Sequence, residues 1–328
     1  MQIAFLTESN FFGKVPLDHI NMRTEMAWQA VLQSDHFNIH QYEQVKEYDV
    51  VFVIFPKASV KLNREGIEMT SPKSDKDNSI FGKPVIETLK SHNGKICFVQ
   101  EGPNNYWVDY DILTQFNFYN QLAECDIIFA HNEYDTHFYK GLFPQTKIAV
   151  IPSLMLPIDI IPVKEDKTII SGNWANWYGG FQSYIVAAEF GHPIYVPSSH
   201  CKRPGEEQIP GIKHLPWVMW SEWMKILSTF KYAVSMMPTI AAGTFQQNCG
   251  YFGIPVIGNE KVDTQQLLFP ELSVDVNDIH MARHLARQLV KDKFFYDHVC
   301  AHAKHTLKDS WHLDQEKWLE YIKEVLNE

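Results

Sequence analysis

The sequence predicts an α/β protein of two doubly wound, Rossmann-like domains facing each other across a cleft. Short β-rich runs alternate with helical stretches along nearly all of the 328 residues, the pattern of parallel sheets covered by helices. The strand-like runs are almost continuously apolar, which suits strands buried on both faces. The alternation lapses once, in a proline-containing polar stretch around Leu156–Asp166, and then begins again. A chain of this length is enough for two domains of ordinary size.

In the first half, Ile3–Glu8, Val50–Phe55, Lys95–Gln100, Asp126–His131 and Ile148–Ser153 read as strands. Helices are expected at Arg23–Gln33, Phe81–Ser91, Tyr110–Cys125 and Tyr134–Leu142. In the second half, strands fall at Thr168–Gly172, Pro193–Pro197, Lys213–Trp217, Tyr232–Met236, Ile254–Gly258 and Leu272–Val276. Helices there are expected at Gly180–Phe190, Ser221–Phe230, Phe245–Phe252 and His280–Lys291. The final stretch, Gln315–Asn327, sets Trp318, Tyr321, Ile322 and Val325 at helical spacing; it either crosses back to the first domain or packs on its own. The expected limits are therefore a first domain 1–156, a linker 157–166, a second domain 167–310 and a C-terminal helix within 311–328. Ligands in such folds sit beyond the carboxyl ends of the strands, so the residues just after each strand carry the functional reading.

Composition narrows the class. Hydrophobic residues at 45% with 21% charged describe a packed globular protein. No run of about 18 apolar residues occurs, so stable membrane insertion is not expected. Met1–Leu6 enters a strand-like run without a basic leader, which points to the cytoplasm. The five cysteines are scattered without a CxxC pair and read as reduced thiols. A net charge of −10 opposes generic adhesion to nucleic acid or anionic lipid.

The most informative segment is Tyr232–Gly258, which reads as strand, small-residue turn, short helix and next strand. A helix that follows such a turn offers free N–H groups and a positive dipole end to a pyrophosphate. Ala241, Ala242 and Gly243 leave room for close approach, and Thr244 can cap the helix or bond a phosphate oxygen. An ordinary βαβ turn would look the same.

Here the sequence resembles the GT-B glycosyltransferases, above all the retaining glycosyltransferase family 4. The family shows Pro-Ser, Glu-Gly-Phe-Gly, a helix with a second Glu, and Gly-x-Pro-Val-Ile; Pro238-Thr239, Gly243 and Gly253-Ile254-Pro255-Val256-Ile257 match. Counted back from Gly253, Gly243 falls on the second glycine and Asn248 on the second Glu. Counted forward from Pro238, Gly243 falls on the first glycine and Ala242 on the first Glu, so the first Glu is missing under both. The resemblance implies that Asn248, or Gln247 beside it, holds the donor ribose, with Thr244 and Phe245 in the same donor-binding turn. A second match is Gly172-Asn173-Trp174-Ala175-Asn176-Trp177-Tyr178-Gly179, where both family glycines survive. Asn173 and Tyr178 replace the family's two diphosphate-binding cations. Positive charge for the leaving diphosphate must then come from Arg23, Lys14 or Lys261, or from a helix dipole. Gly13 matches the family's glycine-containing loop after the first strand. Trp174 and Trp177 read either as core aromatics or as a cover for a base or sugar.

Glu101 ends a strand where the family places a polar residue on the transferred sugar; it reads as a sugar or acceptor-hydroxyl ligand or a general base. His131-Asn132-Glu133 is the other such position, and cap or turn roles are the alternative for both. Asp109-Tyr110-Asp111 spells a metal-binding DxD but reads better as a helix cap. His298, His302 and His305 share a helical spacing and read as a solvated face rather than a zinc site. Lys57–Ser79 is a long polar insertion after a strand, read as an acceptor-gripping loop or an excursion without a role. P-loop, GxGxxG and GxSxG motifs are absent.

The whole chain also resembles glycosyltransferase-like proteins of tailed bacteriophages, which would place it in the host cytoplasm. The expected function is metal-independent, retaining sugar transfer from a nucleotide-sugar co-substrate to an acceptor hydroxyl, with no further cofactor. The acceptor is left open between a glycan, a small molecule and modified DNA. A phage enzyme acting on a hydroxymethylated base is the alternative acceptor reading. It would require base extrusion from a duplex. A non-catalytic nucleotide-sugar binder, and a GT-B epimerase or phosphorylase, are the rival classes.

Overall fold

The computed structural model describes residues 1–7, 13–54, 60–63, 66–69, 89–90, 93–100, 102–104, 112–174, 178–197 and 205–327. Glu101, Asp109–Asp111, Trp177, most of the helix expected at Phe81–Ser91 and most of Lys57–Ser79 lie outside them. The chain forms two compact units: Met1–His19 with Glu25–Ile151 and Ile322–Glu328, and Ile20–Thr24 with Pro152–Tyr321. The division falls between Ile151 and Pro152, ahead of the segment read as linker.

The first unit is a seven-stranded sheet of order β2-β3-β1-β4-β7-β8-β9. Its strands are β1 Ile3–Thr7, β2 Gly13–Lys14, β3 Asp35–Asn38, β4 Val50–Val53, β7 Lys95–Val99, β8 Ile127–Ala130 and β9 Lys147–Val150. All neighbours are parallel except the edge pair β2–β3. Apolar residues point both ways because both faces are covered. Ala4, Leu6, Val51, Val53, Ile96, Phe98, Ile128 and Ala130 line one core. The alternate Phe5 and Phe52 stack at 4.7 Å, and Phe52 meets Phe129 at 5.5 Å. Helices α1 Thr24–Leu32, α2 Ile112–Leu122 and α3 Glu133–Leu142 connect the strands. Within the expected Lys57–Ser79 loop, β5 Val60–Asn63 and β6 Gly66–Met69 pair as an antiparallel hairpin, so at least this part is regular structure.

The second unit is a six-stranded, all-parallel sheet of order β12-β11-β10-β13-β14-β15. The strands are β10 Glu165–Ile170, β11 Ile194–Pro197, β12 Ile212–Leu215, β13 Phe230–Ser235, β14 Val256–Asn259 and β15 Ser273–Val274. This is the 3-2-1-4-5-6 order of a dinucleotide-binding domain, with its switch point between β10 and β13. The helices are α4 Gly180–Ala187, α5 Trp220–Leu227, α6 Thr244–Phe252, α7 Asp263–Leu268, α8 Ile279–Lys291, α9 Lys293–Asp309 and α10 Gln315–Asn327. Among the described residues, no helix is long and apolar enough to cross a membrane.

The segment from Pro152 to Lys164 has no regular structure, and its polar backbone is paired by side chains and by isolated backbone contacts such as Met155 N to His312 O at 2.9 Å. Trp318 Nε1 donates to Pro152 O at 2.9 Å, and Tyr251 Oη accepts from Ile158 N and donates to Ile158 O. Lys164 Nζ donates to Gly253 O at the C-terminus of α6, where a cation also suits the helix dipole. Helix α10 begins in the second unit and ends in the first, where Lys95 and Lys147 donate to the carbonyls of Leu326 and Val325.

His312 is buried, with Nδ1 2.7 Å from Ser153 O, and burial holds its pKa below the ordinary value. The unfolded chain therefore takes up a proton first as pH falls below about 6.5, so the stability contributed by neutral His312 is present above that pH and lost below it. Melting curves from pH 7.5 to 5 should show falling stability, with a slope contribution of at most about 1.4 kcal/mol per pH unit. His312→Gln should flatten the slope, and an unchanged slope would assign the dependence to other groups.

Candidate functional site

Two loops meet at the switch point of the second unit. The first runs from Ser171, whose N–H donates to Val234 O at 2.9 Å, to Gly179, the N-cap of α4. Gly179 sits at φ 59°, and an added Cβ would lie 2.1 Å from Met236 O, so only glycine allows this contact. Ser183 Oγ then accepts from Met236 N at 3.0 Å, locking the first turn of α4 to the end of β13. Asn173 is buried, and its carbonyl lies against Gly180. The Tyr178 ring folds back over Gly172, where a Cβ would come within 2.6 Å of it. Trp174 lies 6.2 Å from Tyr184.

The second loop leads from Met236 to Gly243, the N-cap of α6 at φ 73°. Thr244, which the sequence offered as a cap, is instead the first helical residue; among the described residues no side chain caps α6. The nearby turn after β14 braces this loop. Asn259 Nδ2 donates to Met237 O at 2.9 Å, and Asn259 Oδ1 accepts from the N–H of Lys261 at 3.0 Å. Thr264 Oγ1 donates to Gly243 O at 2.9 Å. Lys261 is thus fixed by its backbone in the turn that supports the N-terminus of α6, with its side chain exposed.

Arg23 also belongs here. Residues Ile20–Thr24 are part of the second unit: Ser221 N donates to Ile20 O at 3.0 Å, and the Thr24 and Thr244 hydroxyl oxygens are 2.8 Å apart. The exposed Arg23 guanidinium lies 5.1 Å from the centroid of the Trp217 ring. Sequence reading singled out Arg23 but not the tether that brings it to α6.

The two amides offered for a ribose separate. Gln247 is fully buried, and its Nε2 donates to His312 O at 2.7 Å and Ser153 O at 3.4 Å. Its amide nitrogen thus ties α6 to the Pro152 segment, while its Oε1 is a buried acceptor with no hydrogen-bond partner among the described residues. Asn248 is 4% exposed, and its Oδ1 is likewise a buried acceptor with no hydrogen-bond partner among the described residues. Phe245 is half-buried in the first turn of α6.

In the first unit, Gly13 lies in the two-residue edge strand β2, paired with His36 and two strands away from β1; its φ of 90° favours glycine. The switch point there lies between β1 and β4, and Thr7 ends β1 with its hydroxyl 2.7 Å from Nε2 of the fully buried His36. His131 follows β8, and its N–H donates to Gln100 Oε1 at 3.2 Å. Asn132 caps α3 by accepting from Asp135 N at 2.8 Å.

A polar hub missed by the sequence reading underlies these loops. The buried Asp135 carboxylate accepts from Gln100 Nε2 at 2.6 Å, Asn104 Nδ2 at 2.8 Å and Asn132 Nδ2 at 3.2 Å. Gln100 Nε2 also reaches Gly102 O at 2.7 Å, so one carboxylate fixes the loop after β7 and the start of α3 together.

No group of three metal-binding side chains occurs among the described residues. On α9, His298 faces Glu271 at 3.4 Å, His305 faces Asp309 at 3.3 Å and His302 approaches Thr306 at 3.5 Å.

The two sheets and their helices have the fold of the GT-B glycosyltransferases. An α-glucosyltransferase solved with UDP-glucose and DNA containing an abasic site is 11% identical, with 99% of each chain covered and a TM-score of 0.63. Sucrose-phosphate synthase from Thermosynechococcus elongatus is 10% identical, with 98% of each chain covered and a TM-score of 0.65. The pneumococcal O-GlcNAc transferase GtfA, solved with UDP and GlcNAc, is 14% identical over 88% of this chain and 59% of its own, with a TM-score of 0.59. No family model and no curated protein matches the sequence.

Proposed function

We propose that the protein is a glycosyltransferase that moves a sugar from a nucleotide-sugar to an acceptor hydroxyl, with the donor diphosphate at the N-terminus of α6. The observation that carries this reading is the start of α6 at the switch point, where the N-cap is Gly243 and no described side chain caps the helix, with Arg23 tethered beside it. Free N–H groups and the dipole favour an anion there. As the glycosidic bond breaks, charge grows on the leaving diphosphate, and Arg23 and Lys261 stabilise it. Asn248 Oδ1 accepts from a ribose hydroxyl, which would satisfy an acceptor that has no partner among the described residues. Asn173 and Tyr178 shape the facing loop without supplying charge. On the first unit, Glu101 and His131 are proposed for the sugar or acceptor hydroxyl, Glu101 as the general base. We read the first unit as the acceptor domain and the reaction as retaining. Because protein cations serve the diphosphate, no divalent metal is required.

UDP-glucose is the first donor to test, because one structural neighbour was solved with it and another with UDP. Donor at 100 times its Kd should raise stability by about 2.7 kcal/mol. Turnover with EDTA present should yield UDP and a glycosylated acceptor in equal amounts. Binding without turnover on any acceptor would favour a non-catalytic binder. Release of an altered sugar without an acceptor would favour an epimerase. Loss of activity in EDTA, restored by manganese, would overturn metal independence. A second reading, transfer to a hydroxymethylated base in DNA, is favoured by a neighbour solved with DNA containing an HMU base, which aligns over the whole of this chain. The net charge of −10 opposes it, so DNA carrying such a base belongs among the acceptors tested.

A further inference from the structure

We propose that Trp217 is a positioning residue for Arg23: its ring holds the guanidinium beside the N-terminus of α6 without neutralising it. The proposal rests on the reading of Arg23 as a partner of the donor diphosphate. The backbone tether, Ile20 to Ser221 and Thr24 to Thr244, places the Cα of Arg23 but leaves a long, flexible side chain to be directed. Trp217 follows β12 at the carboxyl edge of the sheet, and its ring centroid is 5.1 Å from Arg23 Cζ, within cation–π range.

The choice of partner matters chemically. A carboxylate at this position would order the arginine but cancel the charge that a diphosphate needs. Among the described residues no carboxylate forms an ion pair with Arg23. An aromatic face restricts the guanidinium while leaving its N–H edges and full charge for an anion. The Trp217 side chain is 43% exposed, so its ring is only partly covered by the protein.

A double-mutant cycle in the full chain, with UDP-glucose as donor, tests this directly. Arg23→Ala should lower kcat by at least about tenfold, because the charge it meets grows as the bond breaks. Trp217→Leu should lower kcat by about three- to tenfold with a smaller change in KM, whereas Trp217→Phe should stay within about twofold of wild type. The double variant Arg23→Ala with Trp217→Leu should be no slower than Arg23→Ala alone, since the ring then has nothing to position. Trp217→Gln, which keeps a long side chain but removes the ring face, should behave as Trp217→Leu does. Melting temperatures check folding of each variant. Near-normal turnover in folded Trp217→Gln or Trp217→Leu, or losses that multiply in the double variant, would overturn the proposal while leaving Arg23 in place. Near-normal turnover in Arg23→Ala would instead remove the reading of Arg23 on which it rests.

Discussion

Replacing Gly243 with alanine is expected to lower stability by about 3 kcal/mol, through left-handed strain of about 1–2 kcal/mol and overpacking of about 1–3 kcal/mol. Its φ is 73°, and a Cβ would lie 1.7 Å from Thr264 Oγ1, the hydroxyl that donates to Gly243 O. The first turn of α6 would have to move, and with it the proposed phosphate site. Sequence reading gives this glycine one job, leaving room for a phosphate. The structure gives it an internal one: accepting the approach of Thr264. Lost donor binding in a Gly243 variant therefore does not by itself locate the ligand. Chemical denaturation of Gly243→Ala, alone and with Thr264→Ala, separates the terms. The second substitution should return part of the loss by relieving the overlap, leaving the left-handed strain. Wild-type stability in Gly243→Ala would mean that the turn relaxes freely and that its tight packing is unimportant.

Removing the Asp135 carboxylate should be comparably costly. Asp135→Ala strips a charged acceptor from the amides of Gln100, Asn104 and Asn132 and from the N–H end of α3. Gln100 and Asn132 are themselves buried, so water cannot easily replace the carboxylate. At about 1–3 kcal/mol for each buried donor left unsatisfied, the loss should reach about 3–5 kcal/mol. Asp135→Asn should recover little, because its amide presents donors to donors on one side. Hydrogen exchange should report faster opening at 100–104 and 131–136 than elsewhere in the first unit. Uniformly faster exchange across the whole unit would make Asp135 a general stability residue with no special hold on these loops.

The parts of the fold legible in the sequence were those with a local signature. The apolar runs of β1, β4, β7 and β8 and the spacing of Trp318, Ile322 and Val325 in α10 reflect burial that each segment shows alone. Strand β3, Asp-His-Phe-Asn, does not: its pairing with β1 makes it a strand despite two polar ends. Helix α7 spans six residues, too short for a helical period to show. Helices α8 and α9 are separated only by Asp292, which caps the second of them. At the site, Gly243 and Asn248 could be singled out because they lie within one motif of contiguous sequence. Asp135 could not, since two of its three amide partners, Gln100 and Asn104, lie more than thirty positions away at the end of β7 and in the loop after it, and neither could the assignment of Ile20–Thr24 to the second unit, which rests on contacts with residues about two hundred positions away.

Amide hydrogen exchange of the full chain with and without UDP tests the central claim most directly. If the donor diphosphate sits on backbone N–H groups at the start of α6, as proposed, UDP should slow exchange at Thr244–Gln247 and in the facing loop at Ser171–Gly180. Arg23→Ala should weaken that protection, while a substitution in the exposed linker, such as Ile161→Ser, should leave it intact. Protection confined to other regions, or none at a UDP concentration shown by calorimetry to saturate the protein, would contradict the assignment of this turn as the donor site.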